Sequence, residues 1–384
     1  MGQSPSSSNY SNNSDETVLI QGNQDLQNGY IIPRIYTSQI TKLSKPGDII
    51  LTVRAPVGDI AINEYTSCIG RGVCSITPKE DKKFIYYYLQ FLNNKNIWNK
   101  YSQGSTFESV NSKDIKNLKI NIPTLNEQKY ISEFFSLIDQ KISFMEIKRQ
   151  KMDEVKNIFL QKLFCNKQNV PELRFPEFEE EWEEILIKDK FDFFSTNSLS
   201  RAKLDKEKGE IGNIHYGDIH TKFPSIVNVK KEEIPFISEE IDDEKINKYE
   251  PCQNGDLLIA DASEDYADIG KTIELQGITD EKIVGGLHTL LLRDKTIEVS
   301  PLFNGYLFQN EKLKKQIKIK ANGISVLGIS KKELQKITIK IPSKEEQNKI
   351  SDLLFSVDQR ISSMENEIEY NINFKQSILT KMFC

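Results

Sequence analysis

The chain has 384 residues, 38% hydrophobic and 28% charged, with a formal net charge of −5 and a pI near 5.6. This length predicts two or three domains with ample core, and the acidic balance argues against a uniformly basic, stand-alone nucleic-acid binder while permitting a local basic face. No apolar run approaches the ~20 residues of a membrane span. The Ser/Asn-rich start at 1–13 lacks the apolar core of a signal peptide. The five scattered cysteines predict that the protein is located in a reducing cytoplasm.

Two strand-rich segments with many turn residues are predicted, at 1–117 and 169–334. They share one element, which reads KPGDIILTVRAPVGDIA from Lys45 and QNGDLLIADASEDYADIG from Gln253. In each copy a Gly-Asp pair predicts a turn that opens a buried strand. The two segments barely resemble each other outside this element, so the surfaces that they present are expected to differ.

A short strand and a long helix follow the first segment. Residues 120–123 alternate apolar and polar side chains, as a strand with one buried face does, and Pro123 is predicted to end it. Thr124 and Glu127 have the spacing of a capping box, and a helix of roughly 40 residues is predicted to follow, ~60 Å long. Its apolar seam advances in steps of three and four, as knobs-into-holes packing requires, and includes Ile131, Phe135, Ile138, Ile142 and Met145.

The same unit ends the chain. Residues 120–165 align without a gap on residues 339–384, at an offset of 219, with 18 of 46 positions identical. Arg149 and Lys156 interrupt the first seam, Asn371 and Lys375 interrupt the second, and polar seam residues can set the register of paired helices. We interpret the unit as a duplication whose two helices pair antiparallel as a rigid spacer, with ordinary core helices as the alternative. The second seam includes Ile350, Leu354, Val357, Ile361 and Met364.

The predicted fold is therefore α+β, with two strand-rich domains joined by two long, antiparallel coiled-coil helices. The predicted boundaries are a first domain at 1–125, a central spacer helix at 126–168, a second domain at 169–344 and a C-terminal spacer helix at 345–384. Two prolines and many charges between Cys165 and Trp182 mark a linker that enters the second domain.

Motifs for catalysis and metal binding are missing from the sequence. It has three histidines, no HExxH or CxxC, no GxxxxGK[ST] phosphate loop and no GxGxxG after a strand. The densest acidic group, at 261–268, is better explained as a solvated loop than as a set of metal ligands. We expect no catalytic residue, no metal site and no cofactor bound by this chain.

Together these features resemble the specificity subunit of type I restriction–modification systems. The resemblance rests on GDIILTVRAPVGDIA, on the Gly-Ser-Thr at 104–106 before IKNLKINIP, on Pro-x-x-x-Glu-Gln at both helix starts and on the tandem arrangement, and it covers nearly the whole chain. It implies two target-recognition domains that each bind one half of a split site in double-stranded DNA, with the helices as a ruler for the spacer.

The same resemblance implies partners and cofactors. Two methyltransferase subunits would carry S-adenosylmethionine for adenine N6 methylation, and a motor-nuclease subunit would use ATP and Mg²⁺ for restriction. Family members usually open with a segment like Val170–Asp189, and Met1 lies past that position, so the first domain is expected to lack its opening strand. The alternative class is a non-catalytic coiled-coil scaffold for protein interactions, without a role in DNA recognition.

Sequence-specific recognition needs bidentate donors for guanine, amides for adenine and anchors for phosphate. An internal salt bridge is the alternative role for Arg54 and for Arg71, and a solvated helix face is the alternative for the basic run at 312–320. The side chains expected to contact DNA are Ser4, Tyr10, Gln21, Arg34, Arg54, Arg71 and Ser105 in the first domain, and His215, Tyr216, His220, Lys222, Lys271, His288, Lys320 and Asn322 in the second.

Overall fold

The computed structural model describes residues 1–100, 109–165, 169–296, 300–323 and 326–383. The chain divides into two compact units, which we call unit 1 (Met1–Lys148 with Met364–Cys384) and unit 2 (Arg149–Ser363). The division falls within the two long helices, so each helix contributes one part to each unit, whereas the predicted boundaries follow the helix ends. In the described part of the chain, no helix is long and apolar enough to cross a membrane.

The described part of unit 1 contains ten short strands, two complete α-helices and one part of each of the two long helices. The strands are β1 Tyr10–Ser11, β2 Thr17–Ile20, β3 Leu26–Gln27, β4 Tyr30–Ile31, β5 Tyr36–Thr37, β6 Leu43–Ser44, β7 Ile49–Thr52, β8 Ile60–Ile62, β9 Ser67–Ile69 and β10 Val73–Ile76. The helices are α1 Lys82–Asn94, α2 Ser112–Lys116 and α3 Leu125–Lys162.

Unit 2 begins with the C-terminal part of α3 and ends with the N-terminal part of the last helix. Its strands are β11 Glu183–Leu186, β12 Phe191–Phe194, β13 Leu204–Asp205, β14 Ile211–Ile214, β15 Ile226–Asn228, β16 Phe236–Ile237, β17 Leu257–Ala260, β18 Ala262–Ser263, β19 Thr272–Gln276, β20 Lys282–Gly285, β21 Thr289–Asp294, β22 Leu327–Gly328 and β23 Thr338–Ile341. Its helices are α4 Ile187–Lys190, α5 Tyr216–Thr221, α6 Asp243–Ile246, α7 Phe303–Gln309, α8 Glu311–Lys320, α9 Lys331–Leu334 and α10 Lys344–Met382.

Within the described residues the two units share most of one sheet topology, which β3 and β6 extend in unit 1 and β12 extends in unit 2. In unit 1 the sheets have the orders β1-β5-β2-β9-β6 and β10-β7-β8-β4-β3, and in unit 2 the corresponding orders are β13-β16-β14-β20 and β12-β21-β17-β19-β15. The parallel pair β2·β9 corresponds to the parallel pair β14·β20, and β4·β8 corresponds to β15·β19. The antiparallel neighbours of β7 and of β17 correspond in the same way. The duplication therefore includes the strand-rich segments as well as the helices.

The shared Gly-Asp element forms the same turn in both units. Gly47 has φ +92° and Gly255 has φ +88°, in the left-handed region that favours glycine. The carboxylate of Asp48 accepts from the backbone N–H of Lys45 at 2.9 Å, and Asp256 accepts from Gln253 at 2.7 Å. Both aspartates are buried. They close the turn that opens the fully buried strands β7 and β17.

The long helices pair antiparallel in unit 1. Phe135 near the start of α3 stacks on Phe383 after the end of α10, with ring centroids 5.9 Å apart. Further along α3, Met145 meets Asn371, whose amide nitrogen lies 3.9 Å from the thioether sulfur. Residues later in α3 therefore contact residues earlier in α10, as in an antiparallel pair. The predicted fold class is confirmed. Of the predicted seam, Ile131, Phe135, Met145, Ile350, Leu354, Val357 and Ile361 are buried, and Ile138, Ile142 and Met364 are half-buried.

The seam lysines are paired in each unit through the same three residue types. In unit 1, Lys375 forms an ion pair with Asp139 at 2.7 Å, and the hydroxyl of Tyr87 donates to Asp139 at 2.8 Å. In unit 2 the residues at the repeat offset do the same. There Lys156 pairs with Asp358 at 2.6 Å, and Tyr306 donates to Asp358 at 2.8 Å. Each set joins α3, α10 and the preceding strand-rich segment at one register.

The segment before β11 seals the start of α10 in unit 2. The guanidinium of Arg174 donates twice to the carboxylate of Glu346, at 2.9 and 2.8 Å, and the indole of Trp182 donates to it at 3.2 Å. Strand β11 pairs antiparallel with β23. The Glu346 carboxylate therefore accepts from Arg174 and Trp182. Of the capping box at the start of α10, the described residues show only the Glu346 N–H donating to the Ser343 hydroxyl, at 3.4 Å.

The corresponding place in unit 1 is open within the described residues. The predicted strand at 120–123 is wrong, because the structure assigns no strand there. A strand needs a partner ladder, and no described segment of unit 1 occupies the position that β11 has beside β23. Glu127, the repeat counterpart of Glu346, is exposed, and Ile122 is 46% exposed.

Candidate nucleic-acid interface

One edge of unit 1 gathers four of the predicted DNA-contacting residues. It is formed where β2 ends and where a Gly-Arg-Gly turn joins β9 to β10. The N–H of Gly70 donates to the carbonyl of Ile20 at 2.7 Å, which places this turn beside Gln21. The N–H of Val53 donates to the carbonyl of Gly72 at 2.8 Å and brings the end of β7 to the same edge. The predicted residues at this edge are Ser4, Gln21, Arg54 and Arg71.

Arg71 stands at the tip of the turn. Its side chain is exposed, and its backbone N–H donates to the hydroxyl of Ser4 at 3.1 Å, which anchors the turn to the N-terminal loop. The side chain of Arg54 is exposed as well. Neither guanidinium has an ion-pair partner within the described ranges, so both are available for an external anion or acceptor.

The remaining predictions in unit 1 lie elsewhere. The guanidinium of Arg34 donates to the side chain of Gln24 at 2.9 Å and lies 3.8 Å from Asp25, so it has partners within the unit. The hydroxyl of Tyr10 donates to the carbonyl of Pro5 at 3.3 Å. Ser105 lies outside the described residues.

The equivalent edge of unit 2 carries a different set of side chains. Here β14 ends at Ile214, and a Gly-Leu-His turn joins β20 to β21. The N–H of Gly286 donates to the carbonyl of Ile214 at 2.9 Å, as Gly70 does to Ile20 in unit 1. The N–H of Tyr216 donates to the carbonyl of Leu287 at 3.2 Å. The start of α5 and the turn are thus held together.

All three histidines of the chain pack around Tyr216. The ring centroid of Tyr216 lies 4.6 Å from that of His215, 5.8 Å from that of His220 and 5.3 Å from that of His288. The last two contacts are edge-to-face, an arrangement that aromatic rings favour. Residues far apart in the sequence therefore form one aromatic cluster at this edge, which we call the Tyr216 cluster.

His288 is the most exposed histidine of the cluster. Its backbone has φ +55°, a left-handed conformation that is uncommon for residues other than glycine. Its Nδ1 lies 3.2 Å from the carboxylate of Asp261, and its side chain is 50% exposed. Burial raises the pKa of the Asp261 carboxyl, and the neighbouring His288 opposes that shift. The ring is oriented from one side and open on the other.

His215 and its neighbours form the inner part of the cluster. The N–H of Gly217 donates to Nδ1 of His215 at 3.1 Å, which assigns the proton of the neutral ring to Nε2. Burial lowers the pKa of His215, and the Arg201 guanidinium lowers it further. Arg201 is 51% exposed and donates to Asp218 at 2.8 Å. A cation is therefore present at the rim of the cluster.

His220 and Lys271 tie the cluster to neighbouring strands. His220 lies with Nε2 2.9 Å from the carbonyl of Ala262, and since a carbonyl only accepts, Nε2 carries the proton. The ammonium of Lys271 donates to the carbonyl of His220 at 2.7 Å. The Nδ1 of His220 and the Oδ2 of Asp218 are buried without a hydrogen-bond partner among the described residues. His220 and Lys271, which were both predicted to contact DNA, therefore have hydrogen-bond partners within unit 2.

The other predictions in unit 2 have internal partners. Lys222 donates to the carbonyl of Glu233. Lys320 lies 3.7 Å from Glu333. The amide of Asn322 donates to the carbonyl of Lys320 at 3.2 Å, and its backbone pairs with Gly328.

Two polar residues of the edge were not identified from the sequence. Arg201 and Asp218 have no motif around them, and 17 positions separate them. Asp261 belongs to the acidic group at 261–268, and its carboxylate pairs with His288. Within the part of the chain that the structure describes, no three His, Cys, Asp or Glu side chains are placed to hold a metal ion.

The family of type I restriction modification DNA specificity domains matches residues 1–157 and 179–373. The chain belongs to this family, and the resemblance seen in the sequence is confirmed. The match includes both strand-rich segments and most of both long helices.

Two relatives come from Methanocaldococcus jannaschii. One, named as the specificity subunit of type I restriction enzyme MjaX, is 36% identical over 158 residues, which cover 40% of this chain and 36% of the relative. The specificity subunit of MjaVIII is 23% identical over 317 residues, which cover 78% of this chain and 68% of the relative. The chain thus spans about a third of the first relative's length and about two thirds of the second's.

Two solved structures share the fold. A chain from a study of complex assembly and conformational transition of the type I R-M system has a TM-score of 0.61 at 17% identity, with 96% of this chain and 91% of that chain covered. The type I restriction–modification S subunit from M. genitalium has a TM-score of 0.53 at 16% identity, with 100% and 92% covered. At these identities the likeness concerns the fold.

Proposed function

We propose that this chain is the non-catalytic specificity subunit of a cytoplasmic type I restriction–modification complex. It binds a bipartite site in double-stranded DNA, with one half contacted by each unit, and it directs adenine methylation and restriction that partner subunits carry out. Two methyltransferase subunits with S-adenosylmethionine and a motor-nuclease subunit with ATP and Mg²⁺ complete the complex. This chain binds none of these cofactors.

One observation supports DNA recognition most directly. The same edge of the same sheet topology carries solvent-accessible polar side chains in both units, but the residue types differ: half-buried Gln21 and exposed Arg71 in unit 1, and half-buried Tyr216 and exposed His288 in unit 2. A scaffold that only held proteins together would not need different polar groups at equivalent edges. Two different recognition surfaces on one repeated frame fit a DNA site whose halves differ in sequence.

An exposed apolar stripe on α3 supports a helical partner. Within unit 1 the stripe repeats at heptad-like steps on the side of α3 away from the buried seam, and such a surface fits a partner helix. We assign it to the methyltransferase subunits. Its residues are Tyr130 (75% exposed), Phe134 (41%), Leu137 (59%), Phe144 (57%) and Ile147 (48%).

The proposal is tested by gel shift and by methylation mapping. Purified chain, alone and with its methyltransferase partner, should prefer one sequence over random duplex, and the partner should strengthen that preference. The same sequence should carry N6-methyladenine in cells that express both proteins and lose it when this gene is deleted. If neither preparation prefers any sequence and deletion leaves the methylated motifs unchanged, the chain is a scaffold without a DNA-reading role.

A further inference from the structure

We infer that two equivalent turns carry the specificity-determining side chains of this protein, Arg71 in unit 1 and His288 in unit 2. This inference rests on the proposed function, and it assigns to each half-site of the DNA one side chain that would form hydrogen bonds with a base. The turn at 70–72 joins β9 to β10, and the turn at 286–288 joins β20 to β21. Gly70 and Gly286 make the same backbone hydrogen bond to the end of the neighbouring strand, at 2.7 and 2.9 Å.

Arg71 has the freedom and the chemistry to bind a guanine edge. Its backbone is fixed by Ser4, while its exposed guanidinium has no ion-pair partner among the described residues. An arginine without an internal partner presents a planar pair of donors, and two parallel bonds to O6 and N7 of guanine are its usual base contact. The predicted alternative, an internal salt bridge, is not formed within the described residues.

His288 is held in one orientation by its neighbours, as a side chain that recognises a base would need to be. A left-handed backbone is uncommon for a histidine, whereas glycine adopts it without steric cost. The ring is nevertheless kept, with Nδ1 at Asp261 and one edge against Tyr216. When Asp261 accepts from Nδ1–H, Nε2 of the neutral ring is an acceptor on the exposed side. It therefore suits the exocyclic amino group of adenine or cytosine.

Asp261 and Tyr216 are positioning residues in this arrangement. Asp261 fixes which ring nitrogen carries the proton, and Tyr216 limits rotation of the ring. Arg201 lies at the rim of the same cluster, where its half-exposed guanidinium can approach a phosphate. The edge thus offers both base contact and backbone contact to one half-site.

The test is selection from a randomised duplex library with the complex of the full-length chain and its methyltransferase partner. The variants are Arg71→Gln and His288→Gly, the latter because glycine suits φ +55° and removes only the ring. Lys45→Gln and Lys230→Gln are the controls, since both lysines are exposed and neither belongs to the two edges.

Arg71→Gln should reduce discrimination about 5- to 100-fold at one or two adjacent base pairs of one half-site. His288→Gly should reduce it at least about fivefold at a position in the other half-site. The controls should keep the wild-type motif. A uniform loss of affinity with an unchanged motif, or a change in the same half-site for both variants, overturns this inference. A wild-type complex that enriches no motif overturns the proposed function itself.

Discussion

Glu274 is a buried acid that closes the start of a helix in the core of unit 2. Its side chain is fully buried in β19, and its carboxylate accepts from the backbone N–H groups of Leu302 and Gly305, each at 2.7 Å. Gln276 donates to it at 2.7 Å as well. Burial raises its pKa from 4.5 to about 7, although the two backbone donors oppose the shift. We therefore expect this residue to couple the folding of unit 2 to pH.

We predict that Glu274→Gln flattens the pH dependence of stability. A carboxyl whose pKa is higher in the folded state stabilises fully below its unfolded pKa, and this contribution is lost as pH rises through the folded pKa. Between about pH 4.5 and pH 7 the wild-type free energy of unfolding should therefore fall relative to the variant, by roughly 3 kcal/mol in total. Urea unfolding at four pH values measures the difference. The exposed Glu264→Gln is the control, and a wild-type curve parallel to that of Glu274→Gln would contradict the prediction.

Single residues at the candidate interface were partly predictable. His215, Tyr216, His220 and His288 could be named because histidine and tyrosine are chemically conspicuous in a chain with three histidines. Their convergence could not be foreseen, since it depends on the register of β14, β20 and β21. The pairing of Asp261 with His288 spans 27 positions and follows no local rule. Residue type is visible in a sequence, but long-range partners are fixed by strand register.

At the scale of elements, the repeated helix starts show what the segment before β11 contributes. Both copies keep the glutamine of the Pro-x-x-x-Glu-Gln motif for the same purpose, because Gln128 donates to Pro123 at 3.0 Å and Gln347 to Pro342 at 2.9 Å. The glutamate is used in only one described copy. Glu346 is 1% exposed beneath its arginine and indole partners. The same motif is therefore expected to contribute differently to the free energy of unfolding in its two copies.

We predict that Glu346→Ala is far more destabilising than Glu127→Ala. The first substitution leaves the guanidinium of Arg174, only 12% exposed, without its carboxylate. Breaking such a pair costs about 3 kcal/mol. The second removes an exposed side chain and should change the free energy of unfolding by no more than about 0.5 kcal/mol. Urea unfolding with hydrogen exchange at β11 and β23 measures both effects. If both variants lost the same free energy of unfolding, the contact of Glu346 with the segment before β11 would not be what makes this glutamate stabilising.

The helical frame was the most predictable element, because an 18-of-46 identity in register and a three–four seam are strong signals. The helices have 38 and 39 residues, as their patterns predicted. The common topology of the strand-rich segments was not predictable beyond the Gly-Asp turn. Strands of two to six residues carry too little periodicity to show which neighbours they pair with, and that pairing decides the topology.

On the scale of the whole molecule, charge constrains the proposed binding of DNA. A net charge of −5 opposes a polyanion at long range. In the proposed complex, affinity for phosphate must then come from a few local cations, such as Arg54 and Arg201, and from the partner subunits. Specific and non-specific binding should therefore depend on different proteins of the complex.

We predict that the salt dependence of DNA binding steepens when the methyltransferase partner is present. Each neutralised phosphate adds about −0.9 to the slope of log K against log salt concentration. For the chain alone the slope should reflect only a few contacts, and the partner should make it more negative by at least about 3. Fluorescence anisotropy between about 50 and 200 mM salt covers the range in which such slopes are resolved. The Arg71→Gln complex should keep the wild-type slope to within about 1, because a base contact adds specificity without adding phosphate contacts. If the chain alone matches the complex in slope, the acidic balance does not limit phosphate contact and the division of labour between subunits is wrong.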